Sequence, residues 1–119
     1  MATLASDDFS EGDGTDLGGK ALDVGGTWTE FSGTWEVNSA QARQTSATAG
    51  WKVAGTDVGT TNADVQVECT LAASGHSAPG PMVRGVDVNN FWHIMAQYDL
   101  TTSPPAQLIL RERNGGTFT

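Results

Sequence analysis

Six carboxylates, Asp7, Asp8, Glu11, Asp13, Asp16 and Asp23, crowd the first two dozen residues. Carboxylate oxygens are what Ca²⁺ selects as ligands, and Gly12-x-Gly14-x-Asp16 matches half of a calcium-binding nonapeptide repeat. That repeat binds in stacked tandem copies and a single copy is present here, so a solvated acidic loop is the competing reading. The metal reading names Asp8, Asp13 and Asp16 as ligands and Ca²⁺ as the cofactor. No other cofactor is expected.

Nucleophilic and acid–base chemistry has less support. His76 sits in the loop "ASGHSAPGP" and His93 in an apolar stretch, and neither has the spacing of a triad or a metal site. Cys69 is the single cysteine, so no intrachain disulfide forms, and its place among alternating apolar residues predicts a buried, inert thiol. Arg84, Asp87 and Asn90 resemble a polar site, but Asp and Asn also build turns through their own side chains, and Arg84 can pair with Asp87 or lay its stem along a sheet.

The charge narrows the partners. With 14 acidic against 6 basic residues the net charge is −8, which opposes nucleic acid and anionic membranes, since phosphate binding needs clustered Lys and Arg. The start "MATLASDDF" lacks the basic and apolar regions of a signal peptide, and no apolar run reaches membrane-spanning length. Synthesis in a cytoplasm without membrane insertion is the expectation.

These residues must be positioned by strands. At 119 residues the chain is read as a single domain, 1–119, and its 15 glycines and many threonines favour short strands and tight turns. Alternation predicts a half-buried strand with Val65, Val67, Cys69 and Leu71 on one face. "GTWEVN" and "SAQARQTS" read as a hairpin with Trp35 and Val37 inward, and "PMVRGV" with "FWHIMAQYDL" as a second across Asp87 to Asn90. "AQLILRERNGG" supplies a strand and a hairpin turn before Thr117-Phe118-Thr119. With strands near Trp28 and Trp51 this makes about eight, at the spacing of an antiparallel β-sandwich. In "FWHIMAQYDL" alternation separates Trp92, Ile94, Ala96, Tyr98 and Leu100, read as core, from Phe91, His93, Met95, Gln97 and Asp99, read as a shallow outer face. His93, Gln97 and Trp51 are the glycan-binding candidates on that reading.

Taken in order, "DDFSEGDGTDLGG", "WTEFSGTWEVNSAQARQ", "ADVQVECTL", "MVRGVDVNNFWHI" and "LILRER" resemble the concanavalin A-like (laminin G-like) jelly-roll domains, in particular those of bacteriophage minor tail and other virion proteins. The matching positions include Asp8, Phe9, Leu17, Trp28, Trp35, Asp87, Asn90 and Trp92. Where relatives often carry a basic residue after the Phe, this chain reads Ser10-Glu11-Gly12-Asp13. Glucan-cleaving relatives carry a Glu-x-Asp-x-x-Glu strand, and a retaining hydrolase needs two carboxyls about 5 Å apart. Glu68 and Glu112 each lack a second glutamate at that spacing. The resemblance therefore implies a non-enzymatic virion module, a phage decoration or minor tail protein, whose partners are other virion proteins or symmetry mates, with a cell-surface glycan as a further ligand. The alternative is a carbohydrate-binding module of a bacterial surface or secreted protein. The end of the chain, a strand, an Asn-Gly-Gly turn and a short return, predicts an open sheet edge completed by another chain or by residues beyond Thr119.

Overall fold

The computed structural model describes residues 2–48, 50–60, 62–70, 79–96 and 105–119, and residues 97–98 by their backbone. His76 and Leu71 lie outside the described residues, as does the side chain of Gln97. Described residues form no helix, and all strand pairs are antiparallel, so the fold class is all-β. Two compact units divide the chain, Met1–Thr60 and Thr61–Thr119.

The first unit is built from short pairs. Strand β1 (Thr29–Ser32) pairs with β4 (Val53–Gly55), and β2 (Trp35–Val37) with β3 (Ala42–Gln44). The expected hairpin after Trp35 is present, closed by reciprocal backbone bonds between Asn38 and Gln41. Its turn residues Ser39 and Ala40 both have positive φ, 54° and 56°, as a type I′ turn requires, though neither is the Gly or Asn that takes this conformation most easily. Residues 14–17 run beside β2, with Leu17 N–H donating to the Trp35 carbonyl and Val37 N–H to that of Thr15. Leu17 and Val37 are thereby fully buried and form the centre of this unit.

The second unit is one sheet in the order β5-β6-β7-β8, with β5 Met82–Asp87, β6 Asn90–Tyr98, β7 Ala106–Asn114 and β8 Thr117–Phe118. Both hairpin turns read from the sequence are in place. They are also stitched to each other: Gly115 N–H donates to Asn90 Oδ1 and Gly116 N–H to the Asn89 carbonyl. Gly115 and Gly116 turn at φ 56° and 85°, where a side chain would be strained.

Two expectations are corrected here. Residues 62–70 form no strand, and Val65 and Val67 are about half exposed. More consequentially, β6 faces the other way round. Phe91, His93 and Met95 are buried, while Trp92 and Ile94 lie at the surface. Alternation fixes which residues share a face but not which face closes, and here closure comes from neighbours. Phe118 of β8 meets Phe91 edge-on at 6.0 Å, and the Arg113 and Arg111 guanidinia stand 5.2 and 6.0 Å from the Phe118 ring. Their long stems cover apolar surface as they reach it. On the opposite face Trp92 has Glu112 across from it and Ile94 has Leu110, and Trp92, Ile94 and Leu110 are each more than a third exposed.

Phe91→Ala should therefore cost about 3 to 5 kcal/mol as a core truncation, and Trp92→Ala less than half as much. Urea denaturation of both variants checks the order. A costlier Trp92→Ala would return the core to the face read from the sequence.

Candidate functional site

The densest polar cluster surrounds Asp7. Its side chain is 1% exposed, and a buried carboxylate is stable only when donors replace its lost water. Three do so. Lys20 Nζ (2.7 Å) and Trp28 Nε1 (2.6 Å) donate to Oδ2, and Phe9 N–H (2.9 Å) to Oδ1. The bond from Phe9 holds that residue at a φ of 53°, with its ring 5.8 Å from that of Trp28. Burial alone would raise the Asp7 pKa, but the hydrogen bonds from Lys20, Trp28 and Phe9, with the Lys20 charge, outweigh it and hold the carboxyl below its ordinary value. Burial likewise works against the Lys20 ammonium, yet bonds to Asp7 and to Glu11 Oε1 at 2.7 Å raise its pKa.

This geometry bears on the cation reading. The carboxylates that converge are Asp7, Glu11 and Asp23, with one oxygen of each within 4.8 Å of the others. Lys20 already supplies a positive charge to two of them. The three residues named from the sequence do not converge. Asp8 accepts from Ser10 N–H, Asp13 from Ser39 N–H and Asp16 from Gly18 N–H, each closing a local turn or pinning a loop. The bonds from the Ser10 hydroxyl and N–H hold the Asp8 carboxyl below its usual range. The arrangement thus does what a structural lock does. It draws the N-terminal segment, the loop at Lys20 and the Trp28 ring onto one buried carboxylate.

The second candidate lies on the outer face of the second unit. Trp92, Glu112, Asn114 and Arg84 border a depression of about 170 Å³. Arg84 reaches it from a bulge in β5, where its φ is 52° and the register with β6 breaks. A non-glycine residue there stores of the order of 1 to 3 kcal/mol. Among the described residues neither Arg84 nor Glu112 takes part in an ion pair. Beside it, Ile94, Ala96, Leu108, Val65 and Val67 line an apolar groove of about 410 Å³ with Cys69 in its wall. Cys69 is half-buried, and burial pushes its thiol pKa up, away from the thiolate needed for nucleophilic chemistry.

The residues chosen for glycan binding fall in both units and differ in burial. His93 is buried on the inner face, Trp51 is half-buried beside β4 with its carbonyl accepting from Ser32, and the Gln97 side chain is outside the described residues. Asp87 and Asn90 are turn builders: Asp87 accepts from Asn89 N–H and from the Asn90 amide, whose oxygen in turn accepts from Gly115. Of that trio only Arg84 presents a free group to the depression. Sequence reading missed Trp92, Glu112 and Asn114 because it gave Trp92 to the core. The signal available was Glu112, a charge on the same face as Trp92 once β6 and β7 are paired.

The shifts at His93 and Asp7 have the same consequence. Burial, with the charge of Arg111 across the strand, lowers the His93 pKa against a raising bond from Gly80, so the imidazole stays neutral. Its stabilising contribution is full above about pH 6.5 and is lost as pH falls through the folded value. That of Asp7 is full above its ordinary 3.8 and is lost below it. Urea titrations from pH 8 to pH 3 should show stability falling in both windows. His93→Gln should flatten the first and Asp7→Asn the second, the latter with a loss of about 3 to 5 kcal/mol at neutral pH from breaking a buried pair. A His93→Gln profile that parallels the parent would show that His93 titrates normally.

No family model, no curated protein and no solved structure matches the chain. What stands is an all-β chain of antiparallel sheets, one unit locked by a buried aspartate and the other presenting an apolar face.

Proposed function

We propose that the chain is a non-enzymatic assembly and recognition module, and that it serves in a phage virion as a decoration or minor tail protein. One observation carries the assembly part. On the outer face of the second unit Trp92, Ile94, Leu110 and Leu108 are 37, 41, 62 and 81% exposed, with Ile94 directly opposite Leu110 and Ala96 opposite Leu108. Contiguous apolar surface of this kind marks sites that another molecule covers. The occupant we assign is another protein of the same particle. Residues 61–119 carry five carboxylates and three arginines, against nine carboxylates and three cations in residues 1–60, so covering this sheet removes little net charge from water. The virion setting rests on the jelly-roll motif residues alone.

Ile94→Glu tests the reading. It should stay folded, since the side chain is partly exposed, and should abolish incorporation into particles measured as stoichiometry after co-sedimentation. Normal incorporation of Ile94→Glu would overturn docking through this face.

A second reading, glycan attachment, is favoured by the Trp92 depression. An exposed indole bordered by a guanidinium, a carboxylate and an amide offers one stacking surface with donors and acceptors around it, the composition of a small polar-ligand site. At about 170 Å³ it holds a single ring and falls short of drug-sized pockets, which begin at about 300 Å³. It fits either a virion protein or the alternative, a carbohydrate-binding module of a bacterial surface or secreted protein. A glycan array read with wild type and Trp92→Ala decides it: signals that persist in the variant, or none at all, would remove this site.

A further inference from the structure

The hydrogen-bond pattern of β7 leaves one of its edges open. Residues of a strand alternate in the direction of their N–H and C=O groups. Glu112 exchanges both bonds with Thr119 on the β8 side, so Leu110, Leu108 and Ala106 also direct theirs away from β6. Strand β8 covers β7 only at its end, with Arg113 opposite Phe118 and Asn114 opposite Thr117. Among the described residues nothing pairs with the outward groups of Ala106, Leu108 and Leu110. The usual protections are missing as well: residues 106–110 read Ala-Gln-Leu-Ile-Leu, with no charge and no proline. The other outer strand, β5, is protected. It is broken by the Arg84 bulge, and it is preceded by Pro79 and Pro81, whose carbonyls are already taken by Ala96 and Ile94 N–H.

We propose that β7 pairs antiparallel with β7 of a second copy about a two-fold axis at Leu108. Register selects this axis. Centred on Leu108, Leu108 faces its own counterpart and Ala106 faces Leu110 of the second copy, each pair exchanging both bonds and using every open group. Centred on Ile109, Ala106 would face Glu112, whose bonds Thr119 already holds. Strand β7 begins at Ala106, which faces Leu110 in this register, so its paired residues stop short of the Glu112 that Thr119 of the second copy holds. Pairing places the most exposed apolar side chain of the sheet, Leu108, against its equivalent and joins two apolar faces into one. The inference rests on the assembly reading of this sheet and specifies its first partner as the chain itself.

Cross-linking in a Cys69→Ser background tests the register. In the bonded pair the two Leu108 Cα atoms lie about 5.5 Å apart, inside the range a disulfide spans, whereas Leu110 and its counterpart are offset by four residues, about 14 Å. Leu108→Cys should oxidise to a covalent dimer and Leu110→Cys should not. Wild type should sediment as a dimer, and Leu108→Lys as a monomer with unchanged circular dichroism. Equal cross-linking of both cysteine variants, a dimer that survives Leu108→Lys, or a monomeric wild type would overturn self-pairing. Should the wild type prove monomeric while Ile94→Glu still loses particle incorporation, self-pairing fails and the assembly reading stands.

Discussion

A β-strand can bury only every second side chain on a given face, and in the second unit that constraint acts through β6. Once Phe91, His93 and Met95 turn inward, Trp92, Ile94 and Ala96 must turn outward together, and the paired register carries Glu112, Leu110 and Leu108 with them. No single side chain can be exchanged without moving the set. The apolar outer surface, the Trp92 depression and the half-buried arginines of β7 are therefore consequences of one choice of parity. Within the unit that choice is supported by two arginines and a phenylalanine gathered at Phe91. Arg111 and Arg113 bring charge to a face that also encloses a histidine, which favours the neutral imidazole and ties closure to pH.

The first unit solves a different problem. Its strands are three or four residues long, too short to supply much ladder energy, so side chains take over the work of the missing backbone bonds. Asp7 gathers three segments, and Glu30 does something similar at a smaller scale: its Oε1 accepts from Trp35 N–H across the turn at Gly33, and its Oε2 lies where a side chain at Gly18 would have to go. The same cluster that gives the sequence its calcium-like appearance is thus the internal scaffold of this unit. Its carboxylates act on backbone N–H groups and on Lys20.

How much of this was legible follows from the range of each interaction. Turns are set by neighbouring residues, so Asp87–Asn90 and Asn114-Gly115-Gly116 were readable from their own chemistry, and with them the pairing of β5 to β8. The all-β class follows from composition and alternation in the same local way. Parity was not readable, because Trp92 and Phe91 are both large and apolar, and what decides between them is Phe118, about 27 positions away. Val65 to Leu71 shows the converse failure. Alternation there is as regular as in β6, yet residues 62–70 form no ladder, since a period-two pattern makes a strand only when another strand offers its bonds. In the acidic segment the carboxylates were legible, but which of them converge depends on Lys20 and Trp28, thirteen and twenty-one positions from Asp7.

The two surface features of the second unit differ in what they demand of a ligand, and Arg84 shows why. A flat apolar face gains from any partner that excludes water, so exposure alone explains affinity without explaining selectivity. Selectivity needs groups that are costly to leave unpaired. Arg84 and Glu112 stand at the rim of the apolar patch on residues whose backbones are fixed, one by a strained bulge and the other by reciprocal bonds to Thr119. Because both are anchored, a ligand or protein that meets them out of register must bury an unsatisfied charge. The strained φ of Arg84 then has a physical use. It places a cation at the edge of an otherwise permissive surface, beside two turns stitched together through Asn90 and Gly115.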